Sequence, residues 1–324
     1  MILESILVVL FALIIDFKLG DDRNRFHPTI LIGGMVERLV PLTKNCLPKI
    51  QKIWGIILVI FVTSVVSFLL FLLQVGIDSI SVSPLILFLV SVGIGAPLLK
   101  TTIAIRSMET HAKAVIDAVE KNDLDTARTK LAMIVKRNTK NLDKNHILSG
   151  TIESVGENTV DGITGPLFYF AFFGLPGSFV YRAINTIDSM IGYKTTFFKH
   201  IGWFGANCDK ILNYLPARIT GLVMILSAII LRIDWKSSYQ IMRRDGLKPE
   251  SPNSGYPMAA MAGALGTQFE KINHYTIGDG DLEFTMTHIT SAIKMMKVTS
   301  ILFSCIFTIP VIVTLSYLGW WIHA

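Results

Sequence analysis

The strongest constraint on how this chain of 324 residues can fold is a set of long apolar runs. Residues 53–76 carry no charged side chain, and neither do residues 298–322. A helix that crosses a bilayer needs about 20 largely apolar residues, so we expect these runs to be membrane helices. Residues 2–15, 84–99 and 217–233 are further candidate spans. Only 17% of the chain is charged, against roughly 25% in a soluble domain.

One apolar run is interrupted. Residues 163–181 contain Gly-Pro at 165–166 and Gly-Leu-Pro-Gly at 174–177, and lipid-exposed backbone does not tolerate such breaks. We therefore expect a broken or re-entrant element there. Residues 101–150 repeat apolar side chains at helical spacing, which predicts a soluble helical insertion. The predicted fold is all-α, one polytopic membrane domain over residues 1–324 with about 4–6 membrane helices.

The basic residues indicate an orientation. They concentrate in residues 100–144 and 232–248, which places both segments in the cytoplasm and the N-terminus outside. The net charge of +6 reflects this bias, and we expect no nucleic-acid partner. The three cysteines are far apart and form no zinc or disulfide pattern, which fits a reducing compartment.

The most informative polar cluster lies at residues 151–166. If the segment is helical, Glu153, Glu157 and Asp161 stack on one face with Asn158 beside them. Three like charges repel one another, so a stable helix requires a cation there. Carboxylate oxygens suit Mg²⁺, especially when phosphates complete its ligands. The alternative is a solvated acidic face that binds nothing.

A second cluster follows the first apolar run. Asp16 lies at the membrane boundary, where an unpaired charge is costly, and Asp21, Arg23 and His27 lie close by in sequence. These side chains are candidates for catalysis or ligand binding. The alternative is an exit loop with solvated charges.

A third cluster lies between the later apolar runs. Arg182, Asn185 and Asp188 are spaced by three residues and share a helix face, and arginine suits carboxylate or phosphate groups. An internal Arg182–Asp188 salt bridge is the structural alternative. Arg218, near a predicted helix start, is a candidate for the same site or marks the membrane interface.

The fourth cluster, residues 243–275, is a polar loop containing Asn253 and Tyr256 that leads into a helix rich in Ala and Gly. Small residues let two backbones approach closely or leave room for a large flat ligand. The chain has no P-loop, no complete GxGxxG fingerprint, no HExxH pair and no GxSxG elbow. Zinc chemistry and serine hydrolysis are therefore not expected.

Five segments in this order resemble the CobD/CbiB family of membrane-bound adenosylcobinamide-phosphate synthases. They are DFKLGD, HPTILIGGMVERL, RNTKNLDKNHILSGTIESVGENTVDGITGPLFYFAFFGLPGSFVYRAINTIDSMIGYK, FGANCDKILNYLPARIT and SPNSGYPMAAMAGALGTQF. The resemblance covers nearly the whole chain except the apolar spans and the C-terminus. The chain departs from the usual family pattern at Asp22, Asn138 and Cys208.

The resemblance implies a cobalamin-biosynthesis ligase in the cell membrane, with its active site facing the cytoplasm. Adenosylcobyric acid and aminopropanol, or its phosphate, would form an amide with consumption of ATP and Mg²⁺. By inference, Mg²⁺ would be held by Glu153, Glu157 and Asp161. Catalysis would be carried out by Asp16, Asp21, His27, Arg182 and Asp188. Nucleotide or corrinoid would be bound by Asn158, Asn185, Arg218, Asn253 and Tyr256. The partners are these substrates and membrane lipid, with homo-oligomers possible. A corrinoid transporter and a non-catalytic membrane component are the alternative readings.

Overall fold

The structure is a computed structural model that describes residues 2–20, 27–43, 45–193, 195 and 197–320. It is 78% helical with almost no sheet, which confirms the predicted all-α class. The chain divides into two compact units. The first comprises residues 1–104, 165–212 and 306–324, and the second comprises residues 105–164 and 213–305. The prediction of a single membrane domain stays a prediction.

The first unit is built from helices of unequal length. They are α1 (Ile2–Leu19), α2 (Pro28–Leu39), α3 (Pro48–Asp78), α4 (Pro84–Lys100), α8 (Gly165–Ile191), α9 (Phe198–Ile201), α10 (Trp203–Leu212) and α15 (Ile309–Tyr317). Prolines open α2, α3 and α4, a position where the missing N–H costs nothing.

The core of the first unit is aliphatic. Val36, Val62 and Ile187 are buried together where α2, α3 and α8 pack. A Cβ on Gly55 of α3 would collide with the carbonyl oxygen of Ile201, so α3 and α9 approach as closely as only a glycine permits. These contacts hold the polar face of α8 against neighbouring helices.

The interruption predicted in residues 163–181 is present. Gly174 has φ 59° and ψ −151° inside α8, a conformation that glycine adopts far more readily than other residues. The earlier Gly-Pro pair coincides with the beginning of α8, directly after a π-helical turn at Val160–Thr164. The sequence therefore located the break correctly, and Gly174 is where the helix bends.

The second unit contains the remaining helices and a short hairpin. They are α5 (Ile105–Glu120), α6 (Leu124–Ala132), α7 (Lys144–Thr159), α11 (Tyr214–Ile230), α12 (Trp235–Asp245), α13 (Pro252–Leu265), α14 (Met286–Phe303), β1 (Phe269–Lys271) and β2 (Tyr275–Ile277). The predicted helical insertion at residues 101–150 forms α5, α6 and the beginning of α7.

Small residues allow α12 and α13 to pack closely. A Cβ on Gly255 would collide with the carbonyl oxygen of Gly246, and one on Gly263 would collide with that of Ser237. The hydroxyl of Ser238 donates to the carbonyl oxygen of Ala260 at 2.7 Å. Of the two explanations for this Ala/Gly-rich segment, close backbone packing therefore accounts for both glycines.

Four helices of the described chain are long and apolar enough to cross a membrane: Pro48–Asp78, Pro84–Glu120, Lys144–Ile191 and Met286–Tyr317. The adjoining pair Trp203–Leu212 and Tyr214–Ile230, bent by 42°, makes a fifth if it forms one span. This confirms the predicted polytopic helical protein with about 4–6 membrane helices. The bent pair lies at residues 203–230, whereas the sequence predicted its broken or re-entrant element at residues 163–181. The predicted span at residues 2–15 forms most of α1 but is not among these helices.

Candidate functional site

The acidic segment of the second unit forms a helix, as predicted. Asp143 caps α7, and its Oδ1 accepts a hydrogen bond from the backbone N–H of His146 at 2.9 Å. Glu153 and Glu157 then lie one helical turn apart on the same face. Asp161 falls in the π-helical turn that follows, so it departs from the regular spacing that the sequence suggested. π-helical turns are frequent at functional sites.

Glu153 is a buried carboxylate held by three side chains. Oε2 accepts from Arg137 Nη2 at 2.5 Å and from the Tyr275 hydroxyl at 2.7 Å, while Oε1 accepts from the Ser149 hydroxyl at 2.8 Å. Both charged side chains are largely removed from solvent, with 12% of Arg137 and 3% of Glu153 exposed. Arg137 therefore supplies the cation that the acidic face requires.

The hairpin packs on this carboxylate through its backbone. The N–H of Glu270 donates to the Ser149 hydroxyl at 3.0 Å, and Arg137 Nη1 donates to the Glu270 carbonyl oxygen at 3.3 Å. Burial, and then the charge of Glu153, raise the pKa of the Tyr275 phenol well above its usual value. Tyr275 is consequently protonated at neutral pH and acts as a donor.

A second contact fixes the chain after β2. The buried Asp245 accepts from Arg244 Nε at 2.7 Å and Nη2 at 2.8 Å, and from the Gly278 N–H at 2.9 Å. Lys248 Nζ lies 2.8 Å from Asp245 Oδ1. Burial raises the pKa of this carboxyl, but the hydrogen bonds from Arg244, Lys248 and Gly278 outweigh it, so the net pKa is well below the usual range.

Glu157 differs from Glu153 because its side chain is solvent-accessible. Protein nevertheless surrounds its carboxylate closely, and the charges that act on it are those of Lys136, Glu153, Lys271 and Arg137. Asn158 beside it is half-buried, and its Nδ2 donates to the Ser154 carbonyl oxygen at 2.9 Å. Glu157 is thus the accessible acid of the pair. Glu153, one turn earlier on the same helix, is buried and hydrogen-bonded to Arg137, Tyr275 and Ser149.

The predicted Mg²⁺ site can be compared with this donor set. No group of three or more His, Cys, Asp or Glu side chains in the described ranges is arranged to hold a metal ion. Glu153 is occupied by Arg137, Ser149 and Tyr275, which favours a structural role for it. The carboxylates of Glu157 and Asp161 are of the type that holds Mg²⁺ together with substrate phosphates. The metal assignment stays a prediction.

Three of the residues predicted to bind substrate or nucleotide come together in the second unit. The Arg218 guanidinium carbon lies 3.5 Å from the Tyr214 ring centroid and 4.7 Å from that of Tyr256. Arg218 Nη1 donates to the Tyr214 carbonyl oxygen at 2.5 Å and to Asn253 Oδ1 at 3.4 Å. Both rings are within cation–π range of the guanidinium, whose planar fork suits recognition of a carboxylate or phosphate.

The remaining predicted residues belong to the first unit. Asp16 and His27 are buried, and His27 Nδ1 lies 2.7 Å from the Thr29 hydroxyl at the beginning of α2. Asn185 donates to Asp209 Oδ1 at 3.1 Å, which links α8 to α10. Arg182 lies about one turn before Asn185 on the same helix, and Asp188 lies about one turn after it.

Asp21, Asp22 and Arg23 lie outside the described residues, so the roles predicted for Asp21 and Arg23 stay predictions. Of the other departures from the family pattern, Asn138 is exposed and accepts from the Lys140 N–H at 3.0 Å. Cys208 is half-buried against the core of the first unit.

The sequence interpretation missed Ser149, Arg137, Lys271 and Tyr275 as components of the acidic site. Arg137 follows α6, outside the stretch where an i±4 partner for the acids would lie. Lys271 and Tyr275 come from a hairpin whose turn contains Asn273 at φ 63°. Asparagine between two short runs is a known turn signal, and it offered the one clue to this hairpin.

Comparisons with known proteins agree with the resemblance seen in the sequence. A family model described as CobD/Cbib protein matches residues 9–302. The probable cobalamin biosynthesis protein CobD of Methanothermobacter thermautotrophicus is 39% identical over 302 residues, which cover 93% of this chain and 96% of that protein. The protein of the same name from Methanocaldococcus jannaschii is 36% identical and covers 98% of both chains.

A bacterial relative gives the same result. The cobalamin biosynthesis protein CobD of Leptospira interrogans is 36% identical over 305 residues, covering 91% of this chain and 94% of that protein. No solved structure matches the chain.

Proposed function

This chain is a member of the CobD/CbiB family, and from that premise we propose that it is an amide-forming ligase of cobalamin biosynthesis. Its relatives are named as cobalamin biosynthesis proteins, which supports a role in that pathway. The proposed reaction joins adenosylcobyric acid to aminopropanol or its phosphate, with ATP as the source of driving force. The product is adenosylcobinamide or its phosphate.

The observation that carries the proposal is the contrast between Glu153 and Glu157. One carboxylate is buried and held by Arg137, Tyr275 and Ser149, so that the helix face is rigid. The other is accessible one turn away, with Lys136 and Lys271 acting on it. An accessible acid suits binding of a cation, and the basic groups beside it suit neutralisation of charge on transferring phosphates.

The chemistry accounts for the need for ATP. A carboxylate is a poor acyl donor at neutral pH. Its oxygen attacks the terminal phosphorus of ATP, which gives an acyl phosphate and ADP. The amine nitrogen then attacks the acyl carbon, inorganic phosphate leaves, and the amine releases one proton as the amide forms. Both steps depend on positioning and electrostatic stabilisation.

The residues of the second unit receive these roles. Glu157 and Asp161 would hold Mg²⁺, which when bound neutralises charge on the nucleotide phosphates. Arg218, in contact with Tyr214 and Tyr256, would orient a carboxylate or phosphate through its planar fork. Asn253 supports that guanidinium, because its Oδ1 accepts a hydrogen bond from Arg218 Nη1.

The predicted catalytic residues Asp16, His27, Arg182 and Asp188 remain candidates in the first unit. Side chains of both types take up protons in catalysis, so a role as base stays a prediction for Asp16 and His27. Replacement of each in turn tests it, because loss of a base should lower the rate with amine substrate without changing corrinoid binding.

The reaction is tested with protein purified in detergent. Adenosylcobyric acid, aminopropanol phosphate, ATP and Mg²⁺ are incubated with the protein, and mass spectrometry detects the amide product. We expect product and matching ADP release from the wild type, and loss of both in Glu157→Gln. Glu120→Gln, an exposed glutamate of α5, is the matched control and should behave as the wild type. Folded wild-type protein that binds corrinoid but releases no product would contradict the ligase.

A corrinoid transporter is the second candidate, and the break at Gly174 inside a long apolar segment favours it. Transporters often bind substrate at such interrupted helices. Uptake of corrinoid into protein-containing vesicles without ATP-dependent amide formation would support this reading. A non-catalytic membrane component would bind corrinoid and show neither uptake nor chemistry.

A further inference from the structure

The β1–β2 hairpin carries a lysine, Lys271, to which the proposed function assigns no ligand. Lys271 ends β1 and pairs in register with Tyr275 at the start of β2. The Lys271 ammonium lies 5.9 Å from the centroid of the Tyr275 ring, within range of a favourable cation–π contact. Because the Tyr275 hydroxyl donates to Glu153, the contact with Tyr275 places Lys271 beside the buried carboxylate of α7.

Charges near α7 fall into two groups. Arg137 and Glu153 form one buried ion pair, which neutralises the inner carboxylate. Lys271, half-buried on the hairpin, and Lys136, exposed directly before Arg137, both act on the accessible Glu157. The segments that carry the two lysines meet directly, because Arg137 Nη1 donates to the carbonyl oxygen of Glu270 at 3.3 Å.

Lysine suits a phosphate ligand at such a place. Each ammonium group offers three donors on a flexible stem and binds phosphate as a point charge. Lys271 lies on the hairpin and Lys136 in the connection between α6 and α7, and each is next to a residue of the Arg137–Glu270 contact. The negative charge of Glu157 repels phosphate, so we expect phosphate to bind more tightly together with Mg²⁺ than alone.

We propose that Lys271 and Lys136 form a phosphate-binding pair beside Glu157, and that the β1–β2 hairpin is a substrate-binding element of the second unit. The ligand class is a phosphate ester or polyphosphate. This inference rests on the proposed function for its biological substrate, which is the terminal phosphates of the nucleotide or the phosphate of the aminoalcohol. The binding itself requires no turnover.

Binding is measured first, with inorganic pyrophosphate and Mg²⁺ as the probe. Isothermal titration calorimetry compares full-length wild type in detergent with Lys271→Met and Lys136→Met. Charge-assisted hydrogen bonds of this kind lead us to expect about tenfold weaker binding in each variant. Lys271→Arg keeps the charge and should recover most of the affinity. Lys130→Met, an exposed lysine of α6, is the matched control and should bind as the wild type.

Two results would overturn the inference: wild-type protein that does not bind pyrophosphate, or Lys271→Met and Lys136→Met variants that bind it as the wild type does. Thermal unfolding of each variant separates lost binding from lost folding. If wild type binds pyrophosphate through these lysines but makes no amide, the phosphate site stands and the proposed ligase fails. If it makes amide while Lys271→Met binds pyrophosphate normally, the ligase stands and this inference fails.

Kinetics then identify the source of the phosphate. A rise in KM for ATP in Lys271→Met, with KM for aminopropanol phosphate unchanged, assigns the pair to the nucleotide. The opposite pattern, together with no effect when unphosphorylated aminopropanol is the substrate, assigns it to the aminoalcohol phosphate. An unchanged KM for both substrates would count against a phosphate-binding role.

Discussion

Replacement of Arg137 by Met tests the framework around Glu153. The change removes the cation 2.5 Å from Glu153 Oε2 and leaves a carboxylate that is 3% exposed. Removing one partner of a buried ion pair costs about 3–5 kcal/mol. Ser149 and Tyr275 still donate to the carboxylate, so we expect a loss near the lower limit, about 3 kcal/mol of unfolding free energy.

The assay is reversible unfolding of purified protein in mixed detergent micelles, followed by intrinsic tryptophan fluorescence. A double-mutant cycle isolates the pair. Arg137→Met combined with Glu153→Met should be less destabilising than Arg137→Met alone, because no buried charge is left without its partner. Arg243→Met, an exposed arginine of α12, controls for the loss of a positive charge.

Two outcomes would refute this reasoning. The first is a loss below about 1 kcal/mol in Arg137→Met, as expected of a solvent-exposed pair. The second is additivity in the cycle, which would mean that Arg137 and Glu153 stabilise the second unit independently.

Three further substitutions test other contacts. Asp245→Asn should remove an acid-sensitive component of stability: the folded-state pKa of Asp245 lies below its ordinary 3.8, so the stabilisation is present above pH 3.8 and disappears as the pH falls further. Unfolding measured from pH 6 downward should show this loss in wild type only. Gly255→Ala should destabilise by about 1–3 kcal/mol, because the new methyl meets the carbonyl oxygen of Gly246; an unchanged unfolding midpoint would contradict the packing. Tyr275→Phe removes the 2.7 Å hydrogen bond to Glu153 and should cost about 1–3 kcal/mol in the same assay.

The apolar runs were sufficient to predict the fold class, because burial in lipid demands long uninterrupted helices. The glycines and prolines near Gly174 also located a real break. The register of Glu153 and Glu157 followed from helical periodicity alone. Arg218, Asn253 and Tyr256 were assigned a binding role by inference, and they lie together in the structure.

The partner of Glu153 could not be found in the same way. Helical spacing reports neighbours within four residues, whereas Arg137 precedes Glu153 by 16 positions and lies outside α7. The hairpin was missed because each strand has 3 residues, too few for an alternating pattern to be distinguished from a loop. The irregular turn that carries Asp161 breaks the periodicity on which its placement relied.

The attachment of the hairpin has a consequence for amide hydrogen exchange. A two-stranded hairpin is marginally stable by itself and would exchange its amide protons rapidly. Here the Glu270 N–H is bound to Ser149 and the Gly278 N–H to the buried Asp245, so both ends are joined to the interior of the second unit. These two amides should therefore be protected to the same extent as the buried helix α7, and they should exchange when that unit opens as a whole.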